Sequence, residues 1–411
     1  MSRLRRFLAL PDSTPNAVVL MTLFYVGHLF CQGWVASSEI FVLGVLVCWF
    51  IAWHRRDLPP SFHILFFPLF VYCLVSSVSA LTAGRAIHST AEGALWGKTL
   101  LFPAVLILYR TWPGVRDASL KMMLFFGLFI SCYGLFQYFV LAQRDLDHRI
   151  TGPASHVMTF SGLLLVISLV ALVLWLHDVR NLVLAGVAAL TGLSLLLTFT
   201  RSVWIGWGAA VVVLISLRKP KWLVYAPGLG LLVLSFLPLP LFGRLVSVFD
   251  TKQSSNLDRI RMVQAGVEII KDYPLLGVGP ANVKEIYPLY RKHDAPRFRI
   301  PHLHNNVVQL WAERGVLGLA AYLLLLGLFL RECIRGWRGP AGMWAEVGVV
   351  VTVAVAAAGM FEFNFGDTEV YWMMLDVFAL VLAWLERPQP ANEGGGETVR
   401  WVSPPPVAAA P

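Results

Sequence analysis

Charge is what this sequence lacks. Asp, Glu, Lys and Arg make up 14% of its 411 residues, whereas a soluble domain carries roughly a quarter. Apolar residues fill the deficit: the set A, V, I, L, M, F, W, Y and C reaches 57%, and mean hydropathy is +0.67. A membrane-spanning helix takes about 20 apolar residues, so twelve of them would use roughly 58% of the chain. These proportions exclude a soluble enzyme and predict an all-α polytopic membrane protein.

Paired cysteines are missing too. Cys31, Cys48, Cys73, Cys132 and Cys333 lie in or beside apolar runs, without loop spacing that would pair them, so each reads as a small buried hydrophobe. No Cys/His grouping of metal-ligand type is evident, and neither a metal, a cofactor nor a nucleic-acid partner is expected. The N-terminus shows Arg3, Arg5 and Arg6 before Pro11 and Asp12, with no small-residue cleavage site in the first apolar run. That run is expected to stay in the membrane.

Apolar runs place twelve spans at 15–33, 36–53, 62–81, 94–109, 120–141, 157–176, 182–199, 203–217, 222–240, 306–330, 343–361 and 370–386. With the N-terminus in the cytoplasm, seventeen Lys/Arg fall in cytoplasmic segments (Arg3, Arg5, Arg6, Arg55, Arg56, Arg110, Arg116, Lys121, Arg180, Arg218, Lys219, Lys221, Arg331, Arg335, Arg338, Arg387, Arg400). Only five (Arg85, Lys98, Arg144, Arg149, Arg201) fall in the short loops opposite. Because cytoplasmic loops retain positive charge, both termini are predicted inside. The domain reading is therefore spans one to nine within 1–240, an external loop over 241–305, spans ten to twelve within 306–387, and a Pro/Gly/Ala-rich disordered tail over 388–411.

The 241–305 loop, with ten Lys/Arg against six Asp/Glu, breaks the charge pattern, but long loops translocate regardless of charge. A connection of this length points to function. Within it, Leu257, Ile260, Val263, Val267 and Ile270 recur at helical spacing over 257–272. That helix should end at Tyr273-Pro274, followed by the Gly/Pro turn LLGVGPANV and a Tyr-rich basic stretch, 287–302.

Arginine on the external side is the unusual feature. Arg201 sits in the turn Thr200-Arg201-Ser202 between two apolar helices. Two readings fit it: a side chain snorkelling to lipid headgroups, or a charge with a partner or a task. Arg144 and Arg149 flank His148 in the loop before His156, and Arg259 and Arg261 share the loop helix on different faces. Arg291, Lys292, Arg297 and Arg299 fit a solvated basic loop equally well. Together the arginines describe an anion site just outside the membrane, since guanidinium binds phosphate bidentately and keeps its charge. His302, His304 and Asn305 close the loop; a His there could be a general base or an interfacial or capping residue. Asp145-Leu146-Asp147 has a D-x-D form, but flanking cations fit ion pairing better than a divalent metal. Glu362, Asp367 and Glu369 could balance the basic loop or orient a His.

These residues carry a resemblance. TRSVWIGW, DRIRMVQAGVEIIKDYPLLGVGPANV and HLHNNVVQLWAERGVLGL, in this order around a long loop, resemble the O-antigen ligase/polymerase family of bacterial membrane glycosyltransferases, and the size, span number and late loop are similar to its ligases. The resemblance puts the family's Ser/Thr-Arg on Thr200-Arg201, its loop-helix Arg on Arg259 and its His-Asn on His304-Asn305. Val263 stands where the family usually has an aromatic residue, and His302 is additional. What it implies is a glycosyltransferase C-type architecture and an inner-membrane location with a periplasmic loop and active site. The implied donor is an undecaprenyl-diphosphate-linked O-antigen glycan, the acceptor a sugar hydroxyl of lipid A–core, both carried in membrane lipid. Arg201 and Arg259, with Arg149, Arg144 and Arg261, would bind the diphosphate; His304 would take the acceptor proton; Asn305, His302 and Arg291 are secondary. Transfer would invert the anomeric centre without a metal. Polymerase and protein O-oligosaccharyltransferase chemistry remain open within the family. A transporter is the reading from another class, with Glu346 and Asp376 as its intramembrane charges.

Overall fold

A computed structural model describes residues 1–59, 61–83, 89–143, 145, 148–225, 228, 242–244, 247, 250 and 253–386. Among these there is helix and no strand. In order come α1 (Ser2–Phe7), α2 (Asn16–Cys31), α3 (Val35–His54), α4 (Phe66–Thr82), α5 (Ser89–Thr111), α6 (Pro113–Phe139), α7 (Val157–His177), α8 (Leu182–Leu197) and α9 (Arg201–Arg218). A 3₁₀ turn (Pro220–Val224), α10 (Ser254–Asp272), α11 (Val283–Tyr290), α12 (Asn306–Gly336), α13 (Gly342–Gly359) and α14 (Thr368–Leu385) follow. Eleven of the predicted spans coincide with these helices; most of the ninth, 222–240, and the tail, 388–411, lie outside the described residues. Seven helices (α3, α6, α7, α9, α12, α13, α14) are long and apolar enough to cross a membrane, and α2, α4 and α8 are shorter apolar helices. The chain is a multi-pass membrane protein.

Burial sorts the helices. In α7 and α14, 89% of the apolar window is buried, against 28% in α3. A helix that is apolar all round belongs inside, so α7 and α14 form the core of the bundle, with α8 and α13 packed against α7 and α5 against α14. Asp376 and Glu346 tie helices together. Asp376 of α14 accepts from Tyr25 Oη at 3.0 Å and Gln32 Nε2 at 2.6 Å on α2. Glu346 of α13 meets Arg218 Nη2 of α9 at 2.6 Å and His177 Nε2 of α7 at 2.7 Å. Both act as interhelical polar contacts.

The predicted loop helix is present as α10, and its apolar row is only partly buried. Ile260 and Val267 are 39% and 41% exposed, whereas Met262, Ala265, Gly266 and Ile269 are buried. Small residues decide this. A Cβ on Gly266 would lie 2.4 Å from Val308 Cγ1, so only that face approaches α12 closely enough to share a core with Leu303 and Ala312.

The turn after α10 does more than reverse the chain. At Gly315 (φ 66°, ψ −174°) α12 breaks, and the segment 274–279 occupies the break. Pro274 O accepts from Val316 N, while Ala312 O and Glu313 O accept from Val278 N and Gly279 N, each at 2.9 Å. Backbone groups freed by the break are thereby paired, as a membrane setting demands. Gly315 is required twice over, by its positive φ and because a Cβ would lie 1.9 Å from Leu275 O. Through this joint α10 is fixed to α12, and both to α4, where Ser79 Oγ donates to Glu313 O at 2.8 Å.

Candidate active site

The starts of α7, α9, α12 and α14 meet the end of α13 at one end of the bundle. Asp367, capping α14, accepts from Thr159 of α7 at 2.5 Å, and Asn305 Nδ2, at the start of α12, donates to Met360 O beyond α13 at 2.8 Å. Over this end lie α10 and the 148–156 stretch.

Arg201 is the first residue of α9 and not part of a free turn; the chain reverses just before it, through Phe199 at φ 53°. Its side chain is buried. Nη1 donates to Ser247 O at 2.9 Å and Gln253 Oε1 at 2.7 Å, and Nη2 to Ser255 Oγ at 2.9 Å and to Asn256 Oδ1. These acceptors are neutral; among the described residues no carboxylate pairs with it. The snorkelling alternative is thereby overturned, because the guanidinium turns into the protein under the entry to α10.

Three further arginines share the region. Arg259 of α10 lies 3.7 Å from Glu362 Oε2. Burial lowers its pKa, opposed by Glu362 and reinforced by Arg297. Burial also lowers that of Arg149, helped by Arg259 and opposed by Glu362. Arg244, which the sequence analysis did not single out, donates Nε to Phe199 O at 3.3 Å. Burial, then Arg201, Arg149 and Arg259, bring its pKa down to about 10. Arg149, Arg201, Arg244 and Arg259 are thus close enough to act on one another, and Glu362 is the carboxylate set among them. Mutual repulsion of this kind is relieved by an anion.

Glu362 follows α13 and is buried. His304 Nδ1 lies 2.9 Å from its Oε2, and His302 Nε2 3.5 Å from its Oε1. Burial alone would raise this carboxyl. The hydrogen bond from His304, then the His304 and His302 rings where protonated and the Arg259 guanidinium, overcome it and hold the pKa down to about 2. An ionised carboxylate only accepts, so His304 Nδ1 carries the proton of this bond and Nε2 is the ring nitrogen not engaged by Glu362. His302 differs: burial, then the neighbouring His304, bring its pKa down to about 4, so it is neutral near pH 7.

The tripeptide His304-Asn305-Asn306 is built by backbone and caps. His304 adopts φ 51°, which turns it out of line with the helix. Asn305 Oδ1 caps α12 by accepting from Val308 N at 2.9 Å. Asn306 Nδ2 donates to Asn364 Oδ1 at 2.7 Å, and its Oδ1 accepts from Phe365 N at 3.2 Å. Both asparagines hold the 360–365 connection, and with it Glu362, against the start of α12. Of the two roles open to Glu362, the structure gives it both.

Other predicted residues are placed elsewhere. Arg261 turns onto Asp294 and Gln264. Arg291 donates to Ala295 O at 2.9 Å and lies over the Phe298 ring. Arg297 pairs with buried Asp258 at 2.8 Å. These three bind the loop to itself. His148 pairs with Asp145 at 3.2 Å in an exposed turn, while Arg144 and Asp147 lie outside the described residues. His302, His304 and Glu362 bring ligand-type atoms within 4.8 Å of one another, a grouping that spacing could not reveal because Glu362 is 58 residues from His304. Its carboxylate already faces two rings and Arg259, and the surrounding arginines favour an anion over a cation.

The chain matches no curated protein. Residues 186–323, which include Arg201, Arg244, Arg259, His302 and His304, match the family model described as O-Antigen ligase.

Proposed function

We propose that the protein transfers an O-antigen polysaccharide from undecaprenyl diphosphate to a sugar hydroxyl of lipid A–core, as an inverting, metal-independent O-antigen ligase of glycosyltransferase C-type architecture. The observation that carries this reading is the set of four mutually interacting arginines, Arg149, Arg201, Arg244 and Arg259, of which Arg149 and Arg259 also act on Glu362 of the Glu362–His304 pair. The acceptor oxygen attacks the anomeric carbon and its proton passes to His304 Nε2. The bond from that carbon to the diphosphate oxygen breaks, and the electron pair leaves with the diphosphate. Arginines aimed at this departing charge do what a divalent metal does in other transferases. Glu362 holds the His304 ring with Nε2 outward and stabilises the imidazolium once it forms.

Membrane-borne substrates suit a site at the end of an apolar bundle. A groove of about 290 Å³ between α3, α4 and α5, walled by Trp49, Phe66, Phe70 and Trp96, offers an apolar surface to a hydrocarbon chain. The charge asymmetry of the connecting segments supports both termini in the cytoplasm of a bacterial inner membrane, with 241–305 as a periplasmic loop.

A reconstituted assay tests the reading. Purified protein is mixed with undecaprenyl-diphosphate O-glycan, with and without lipid A–core, and products are resolved on a gel. A mobility ladder that needs lipid A–core supports the ligase. Glycan growth without it would replace the ligase with a polymerase, and transfer only to added pilin-type protein would replace it with a protein O-oligosaccharyltransferase.

A further inference from the structure

The loop segment docked into the α12 break carries an apolar edge that is exposed among the described residues. Leu275 is 66% exposed and Tyr273 47%, yet both stand beside a membrane helix. Backbone contacts fix their height. Pro274 O accepts from Val316 N at 2.9 Å and from Trp311 Nε1 at 3.1 Å, and the Leu275 backbone lies where a Gly315 side chain would be. From Val316 onward α12 runs as VLGLAAYLLLLGLFL. Its outward residues are themselves bare, with Val316 37% and Leu317 49% exposed. On a membrane helix such residues face lipid. Leu275 is therefore level with the first lipid-facing residues of α12, and partly exposed Trp311 beside it fits an interfacial aromatic belt.

The geometry points to a membrane-embedded wedge: Tyr273 and Leu275 contact lipid acyl chains on the side of the bilayer where the site lies. Continuity with the exposed face of α12 argues for lipid as the occupant. So do the backbone bonds of Pro274, Val278 and Gly279 within the chain, which reduce the polar groups the segment would carry into hydrocarbon. Insertion seats α10 on the bilayer surface. If the proposed function holds, Arg259 then meets a diphosphate at the depth where its lipid carries it; the insertion itself does not depend on that reading.

Site-directed spin labelling in proteoliposomes tests the wedge. With the five native cysteines replaced, a nitroxide is placed through Leu275→Cys, with Tyr273→Cys as an independent second position. Leu317→Cys serves as the lipid reference and Lys292→Cys as the water reference. The expected result is that collisions with oxygen exceed those with a water-soluble nickel chelate several-fold at 275 and 273, as at 317, and that the order reverses at 292. Nickel access at 275 and 273 matching that at 292 would overturn the wedge. Low access to both reagents would also overturn it, because a protein partner would then cover the segment. The readout needs no transferase activity, so it stands apart from any failure of the proposed reaction.

Discussion

Glu362→Gln is the most informative single change, because the side chain keeps its shape and loses only its charge. A carboxyl held at about 2 in place of the usual 4.5 stabilises the folded chain by roughly 3 kcal/mol when ionised. Burial of the group means that solvent screening does little to reduce this. The sign follows from the depression. The contribution is complete above the unfolded value near 4.5 and is lost as pH falls toward 2. Glutamine forfeits it at every pH. In detergent at pH 7 the variant should be less stable than the parent by roughly 3 kcal/mol, and by pH 4 the difference should shrink by roughly a quarter. In the transfer assay, kcat should fall about 100-fold or more, since His304 loses the anion that orients it. KM for the lipid-linked donor should not rise, because Arg259 is released from its carboxylate. A kcat within threefold of the parent, together with an unchanged melting temperature at pH 7, would refute the role given to this residue.

Four other outcomes follow from the same geometry. Chelation by EDTA should leave the transfer rate unchanged; activity lost in EDTA and regained with magnesium would reject the arginine-based account of the leaving group. Arg244→Ala should weaken donor binding by about tenfold or more, whereas Arg261→Ala, which breaks a contact with Asp294, should change it by less than about threefold; equal effects in a binding titration would count against the four-arginine site. Arg259→Lys should lower kcat/KM by about 10-fold to 100-fold, because a lysine cannot form the bidentate contact, and full activity would argue against direct phosphate binding. Gly315→Ala should cost at least about 1–3 kcal/mol from the backbone conformation alone, and more from displacing the 274–279 segment, visible as a lowered melting temperature.

Much of the architecture is legible because membrane insertion acts on the one-dimensional sequence. Long apolar runs interrupted by Arg, Lys and Pro marked eleven of the helices, and the scarcity of charge excluded a soluble fold without reference to any contact. Arg201 stood out for a related reason, since it breaks an apolar context at a span boundary, whereas Arg259 and His304 were singled out from their neighbours by the family resemblance. Packing is what the pattern could not supply. The periodic residues marked α10 as a helix but not its contact face: Ile260 and Val267 stay exposed, and close approach runs through Ala265 and Gly266. Arg244 had no local signature and joins the site only through the fold, while Arg261 and Arg291, ranked below Arg259 from the sequence, are held by partners within the loop. Glu362 lies 58 residues from His304 and could be assigned only after Asn305 and Asn306 had brought its connection onto α12. The sequence by itself determined which segments enter the membrane, because transfer of a helix into hydrocarbon depends on the residues of that helix alone. Which charges converge, and which are neutralised on the way, was decided by tertiary structure, because electrostatic interaction depends on distances that chain separation does not encode.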